Sequence, residues 1–159
     1  MGKHDTRMID VSSKKDTQRL ATAVARISMS NDTLGKVKGQ NTPKGDVLAV
    51  AQAAGIMAAK QTSSLIPLCH PLLITSISVD FSFPAKKGVI AIEATVRGRG
   101  KTGFEMEALT AVAVAALTIY DMCKMFDQGM IITDMRLIKK TGGKSGTYIA
   151  SPLTGSSRH

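Results

Sequence analysis

Two runs of alternating apolar and polar residues, Leu73–Phe83 and Val89–Arg97, stand either side of a short turn, Pro84–Gly88. In the first, Leu73, Thr75, Ile77, Val79, Phe81 and Phe83 fall on one face. In the second, Ile90, Ile92, Ala94 and Val96 point inward, with Glu93, Thr95 and Arg97 outward. A period of two with a turn between is the pattern of an antiparallel hairpin. A two-stranded hairpin cannot bury its apolar face unaided, so the flanking chain must cover it.

The flanks supply that cover. Pro43-Lys44-Gly45-Asp46 precedes a run of helix formers, and Asp46 suits the N-cap of a helix from Val47 to about Thr62. After the hairpin, Phe104–Phe126 is an Ala-rich helix between Gly103 and Gly129, and Met130–Lys140 is a last strand. Pro67 and Pro71 bracket a rigid turn, Leu68-Cys69-His70. Leu20–Met29 is ambiguous: Leu20, Ala23, Val24 and Ile27 fit a helical stripe, whereas Ala21, Ala23, Ala25, Ile27 and Met29 alternate. Taken as a strand, it completes the order βαββαβ. Ser30–Thr33 then offers caps for a short helical turn that Gly35 and Gly39 break. The expected fold is α+β and ferredoxin-like, an antiparallel sheet with helices packed on one face. The other face needs a cover, and its hydrophobic content suggests partner subunits. One domain is expected over residues 9–150, with flexible ends at 1–8 and 151–159.

Charge narrows the function. Lys and Arg number 21 against 12 Asp and Glu, a formal +9. The excess calls for a polyanion: nucleic acid, a membrane surface or a phosphorylated small molecule. No basic run reaches five residues, and the chain is 4 % aromatic. Val89–Arg97 has no aromatic on which a base could stack, which argues against an RNA-binding sheet. The most apolar stretch, Ala108–Tyr120, reads as a buried helix, and no apolar run reaches the ~18 residues of a membrane span. Met1–Asp10 has no apolar signal region. Cys69 and Cys123 are far apart and read as reduced thiols of a cytoplasmic protein.

Individual motifs are weak. Gly98-Arg99-Gly100-Lys101-Thr102-Gly103 matches a dinucleotide fingerprint, but its strand belongs to a hairpin and Asp121, the acid at the right distance, lies inside a helix. A glycine turn at a helix N-terminus can still hold a phosphate or carboxylate. Gly143-Lys144-Ser145 imitates the end of a nucleotide-binding loop, but Ile138 stands where the first glycine is required. A mobile loop presenting Lys144 is what remains. His70 beside Cys69 lacks the further ligands of a zinc site. Glu105 and Glu107 suit the first turn of a helix in any case. Asp121 and Lys124, three apart, are either a surface ion pair or an acid–base pair. Glu107 and Asp121 are roughly 21 Å apart along a helix rising ~1.5 Å per residue. Either one is structural, or the ligand is long, or the site is made by two subunits.

Taken together, the segments Leu65-Ile66-Pro67-Leu68-Cys69-His70-Pro71-Leu72, Lys101–Ala111 and Ala115–Lys124 closely resemble the signature segments of the cyclic pyranopterin monophosphate synthase family. Val11-Ser12, Lys44-Gly45-Asp46-Val47 and Gly142–Gly146 follow in the same order, so the resemblance runs from about Ile9 to Tyr148. It implies a ferredoxin-like subunit in a homohexamer, a trimer of dimers with active sites at the dimer interface. The implied substrate is (8S)-3′,8-cyclo-7,8-dihydroguanosine 5′-triphosphate, and the implied products are cyclic pyranopterin monophosphate and diphosphate, in molybdenum cofactor biosynthesis. Asp121, Lys124 and Lys44 match the catalytic positions. Leu68, Cys69, His70, Glu105, Met106, Glu107 and Lys144 match substrate contacts, and Arg19 falls near the triphosphate. Pro43 stands where the family often has histidine. Such a reaction needs no redox cofactor, and magnesium would ride on the triphosphate rather than on a protein site. In the acid–base pair, a lysine near other cations in a partly dry interface is expected to have a lowered pKa.

Overall fold

The computed structural model describes residues 6–86, 88–144 and 146–151. Along the chain run β1 (Thr17–Ser28), α1 (Asn31–Lys38), α2 (Val47–Lys60), α3 (Thr62–Leu65), β2 (Leu73–Ser82), β3 (Val89–Gly100), α4 (Glu105–Cys123), β4 (Ile131–Thr141) and β5 (Tyr148–Ile149). They form one five-stranded sheet in the order β2-β3-β1-β4-β5. Every neighbouring pair is antiparallel. This is the ferredoxin-like order expected, with β5 added at one edge.

The ambiguous first segment is a strand because its place in the sheet decides the matter. β1 lies between β3 and β4, where Ala21, Ala23, Ala25 and Ile27 are wholly buried. α4 crosses that face and packs against β1, β3 and α2. Ala108, Ala111, Ala115 and Ala116 give it small side chains where it meets the core. Propensity alone could not choose between strand and helix here; burial of the alternate alanines does.

Phe104 anchors the start of α4 and is fully buried. It does so over Gly98, where an added Cβ would sit 2.4 Å from the Phe104 ring. Gly98 and Gly100 therefore belong to β3, three residues beyond the expected end of the strand at Arg97. The glycine fingerprint is a strand end and a tight turn, not a dinucleotide loop.

Other departures have local causes. β2 carries an irregularity between Ile74 and Ser76, with Ile74 opposite Gly98 and Ser76 opposite Arg97. The extra residue, Thr75, reverses the alternation, so Ile74 packs against the core while Leu73 is 75 % exposed. Gly35 does not break the helical turn after Ser30. It lies inside α1, which Ser30 caps at Thr33 N and which ends at Gly39. α4 stops at Cys123, with Lys124 as its C-cap, short of Phe126. The sheet face away from the helices is mixed: Ser76, Ser78, Asp80, Glu93, Arg97 and Arg26 are exposed there, beside Leu20, Val24 and Ile131. By length and composition α4 as formed is apolar enough to cross a bilayer, but here it is the core helix of the fold. Of the flexible ends expected over 1–8 and 151–159, residues 1–5 and 152–159 lie outside the described residues.

Candidate active site

α4 has chemistry at both ends. At its N-terminus, Leu68, Cys69 and His70 from the proline-bracketed turn face Glu105, Met106 and Glu107 from its first turn. Thr102 and Gly103 close one side of this cavity of about 390 Å³, and Arg7, Ile9, Val11 and Lys14 of the chain before β1 line another. All six residues expected here come together.

Glu107 is the unusual member, only 4 % exposed. Burial pushes its carboxyl above the ordinary carboxylate range, and the neighbouring Glu105 charge adds to the push. Cys69 is also shifted up, by burial first and then by Glu107. It is an inert thiol in this state rather than a nucleophile. Glu105 differs from Glu107 in having a cation: its Oε1 accepts from Lys140 Nζ at 2.9 Å.

A second cavity of about 800 Å³ adjoins the first and shares Lys14, Thr102, Gly103 and Glu105 with it. Lys14, Lys15, Arg19, Lys101, Lys140 and Lys144 line it. Arg19 Nε donates to Gly100 O at 2.9 Å and its Nη2 to Lys101 O at 3.2 Å, fastening β1 to the turn before α4. Lys101 Nζ donates to Ser12 O at 2.8 Å, holding the segment that walls the first cavity. Gly143 has φ +76°, and a Cβ there would lie 2.3 Å from Arg19 Nη1. Close approach to the guanidinium thus requires glycine at the residue before Lys144. Lys14, Lys15, Lys101 and Lys140 were not singled out by sequence reasoning. Lys101 stood in the glycine turn noted as able to hold a phosphate; for Lys14, Lys15 and Lys140 the one signal was a large positive charge without a basic run.

At the C-terminal end of α4, Asp121 receives two lysines. Lys44 Nζ donates to Asp121 Oδ2 at 2.8 Å and to its carbonyl oxygen at 3.1 Å. Lys124 Nζ lies 2.8 Å from Oδ1. An acid in the last turn opposes the helix dipole, so the two cations stand against an unfavourable placement. Lys124, then Lys44, hold the Asp121 carboxyl down to about 2. In the single chain Lys124 is shifted upward by its bond to Asp121. In the single chain this group is locked in its charged form.

The two ends are separate: His70, Glu107, Arg19 and Lys144 gather at one, and Lys44, Asp121 and Lys124 at the other. Among the described residues, no group of three or more His, Cys, Asp or Glu side chains could hold a metal ion. Fold and site together define an α+β protein that sets His70, Glu105 and Glu107 beside a cavity lined by cations. The chain belongs to the MoaC family, whose family model matches residues 8–143. It is 57 % identical over 147 residues to the cyclic pyranopterin monophosphate synthase of Heliobacterium modesticaldum, covering 92 % of each chain. The protein of the same name from Desulfitobacterium hafniense is 59 % identical over 143 residues, covering 90 % of this chain and 87 % of that one. That of Syntrophomonas wolfei is also 59 % identical over 143 residues, covering 90 % and 91 %.

Proposed function

We propose that this chain is a lyase with cyclic pyranopterin monophosphate synthase activity. It converts (8S)-3′,8-cyclo-7,8-dihydroguanosine 5′-triphosphate to cyclic pyranopterin monophosphate and diphosphate, in the cytoplasm. The observation that carries the reading is the adjoining pair of cavities, one with His70, Glu105 and Glu107, the other with six cations. A carboxylate matches the paired N–H groups of a guanine-type ring, and clustered cations match a triphosphate.

The reaction opens a purine-derived ring, moves protons between nitrogens, and closes a cyclic phosphate while diphosphate departs. Glu107, which burial makes harder to ionise, is placed to exchange hydrogen bonds and protons with the base. Arg19, Lys140 and Lys144 neutralise charge on the leaving diphosphate. Asp121 with Lys44 and Lys124 forms the second catalytic group. Its distance along α4 from Glu107 supports a site shared between two copies of the chain, within a trimer of dimers. There Asp121 of one copy would serve the cavity of the other, and substrate would part the lysines from it. The reaction needs no redox cofactor, and magnesium would accompany the triphosphate.

The test is incubation of the purified protein with the cyclised guanosine triphosphate derivative, following diphosphate release and pterin fluorescence after oxidation. Both signals should appear, and both should vanish in Asp121→Asn and Lys124→Ala. Binding of the triphosphate without diphosphate release by the wild-type protein would leave a non-catalytic binding role as the better account.

A further inference from the structure

The loop from Gly39 to Asp46 joins α1 to α2 and delivers Lys44 to Asp121. This loop is tied at several points. Asn41 N donates to Lys36 O at 3.0 Å, and Gly45 N donates to Thr42 O at 3.0 Å. Thr42 Oγ1 donates to Gly45 O at 2.5 Å, closing a turn about Pro43 and Lys44. Gln40 Nε2 donates to Asp46 Oδ2 at 2.8 Å. The other oxygen of that carboxylate, Oδ1, caps α2 by accepting from Leu48 N and Ala49 N at 3.0 Å. One carboxylate therefore joins the start of the loop to the helix at its end.

Gln40 makes this bond from a left-handed backbone, φ 52°. Glycine adopts that conformation freely, whereas a residue with a Cβ resists it. A loop selected only for backbone ease would carry glycine there. What glutamine adds is the amide that reaches Asp46.

We propose that Gln40 is a positioning residue: its bond to Asp46 closes the loop at both ends and sets the Lys44 ammonium against Asp121. The inference rests on the reading of Lys44 as part of the catalytic group. A lysine on a four-carbon stem sweeps a wide volume unless its backbone is fixed, and small misplacements of reacting groups lower turnover steeply.

Three variants test it, with kcat, KM and thermal unfolding measured on each. Gln40→Gly relieves the backbone and deletes the latch; it should unfold no earlier than wild type, keep KM, and lose about tenfold in kcat. Gln40→Glu sets one carboxylate against another and should lose as much. Combining Gln40→Glu with Asp46→Asn restores a donor facing an acceptor, retains an oxygen for the α2 cap, and should recover turnover. Wild-type kcat in both single variants overturns the latch. So does a loss of kcat that tracks a fall in unfolding temperature and is not rescued by the second substitution. Lys44→Ala separates the two readings. If it turns over like wild type, the role given to Lys44 fails and the latch with it; if it is inactive while the Gln40 variants are unaffected, the latch alone fails.

Discussion

Glu107 and Asp121 share α4 and have opposite electrostatic fates: burial pushes the first carboxyl up, while two lysines hold the second down to about 2. One helix thus carries a carboxyl whose surroundings resist ionisation and a carboxyl whose surroundings favour it. Division of labour between carboxylates set by surroundings is a common route to acid–base chemistry near neutral pH.

The sign of the Asp121 shift gives a direct titration test. A carboxyl whose folded pKa lies below its ordinary 3.8 stabilises the fold above pH 3.8, and that contribution is lost as pH falls toward about 2. Carbon-detected NMR should find the Asp121 midpoint near 2, and Lys124→Ala should move it back toward 3.8. A midpoint unmoved by Lys124→Ala would mean that Lys124 is not its principal partner.

For Glu107 the sign reverses. A carboxyl raised by burial costs stability once it ionises, so the cost is absent below pH 4.5 and complete above the folded pKa. Glu107→Gln should therefore unfold later than wild type at pH 7. The advantage should disappear in scans below pH 4.5. Turnover should fall about a hundredfold in the same variant. Lower stability at pH 7 would show that the carboxylate is satisfied where it stands.

Mixing experiments address the separation along α4. Glu107→Gln and Asp121→Asn proteins, each with little or no turnover alone, should regain diphosphate release well above either parent when unfolded and refolded together. Refolding separately before mixing should give none. A site contained in one chain cannot be rebuilt this way, so absence of recovery in verified mixed assemblies would confine catalysis to single chains.

The cation-lined cavity predicts a particular kinetic signature. Lys101→Ala should raise KM about tenfold with a smaller effect on kcat, whereas Lys140→Ala, which removes a charge placed against the leaving diphosphate, should lower kcat as well. Ionic strength should raise the wild-type KM as well, because exposed charges are screened beyond ~8 Å at physiological salt. Lys140→Ala has a second effect to check. It removes the cation 2.9 Å from Glu105, leaving that carboxylate beside Glu107 without its ion pair.

Much of this was legible in the chain, for reasons that differ by element. β3 alternates cleanly because one face meets α4, and Asp46 caps α2 as its place before a helical run implied. The bulge at Thr75 was hidden, since Leu73 and Thr75 continue the alternation of Ile77 and Val79 in sequence while the backbone does not. Gly35 looked like a break because isolated propensity cannot see the burial of Leu34 and Val37 beside it. β5, at two residues, has no pattern long enough to read. At the site, the contiguous segments Leu68–His70 and Glu105–Glu107 revealed themselves, whereas Lys14, Lys101 and Lys140 come from three separate elements and meet only in the fold. In the single chain the carboxylate 2.8 Å from Lys124 sets the direction of its shift, upward, whereas the lowering expected of a lysine in the pair belonged to a partly dry interface with other cations.

The cavity lined by Lys14, Lys15, Arg19, Lys101, Lys140 and Lys144 attracts by field more than by shape. On the proposed reaction, the departing diphosphate is itself a ligand for the place it leaves. Turnover then ends not with bond breaking but with desorption of an inhibitor. The working rate of the protein in a cell becomes coupled to whichever hydrolase keeps free diphosphate scarce, and forward flow is maintained by that removal rather than by any selectivity built into the pocket.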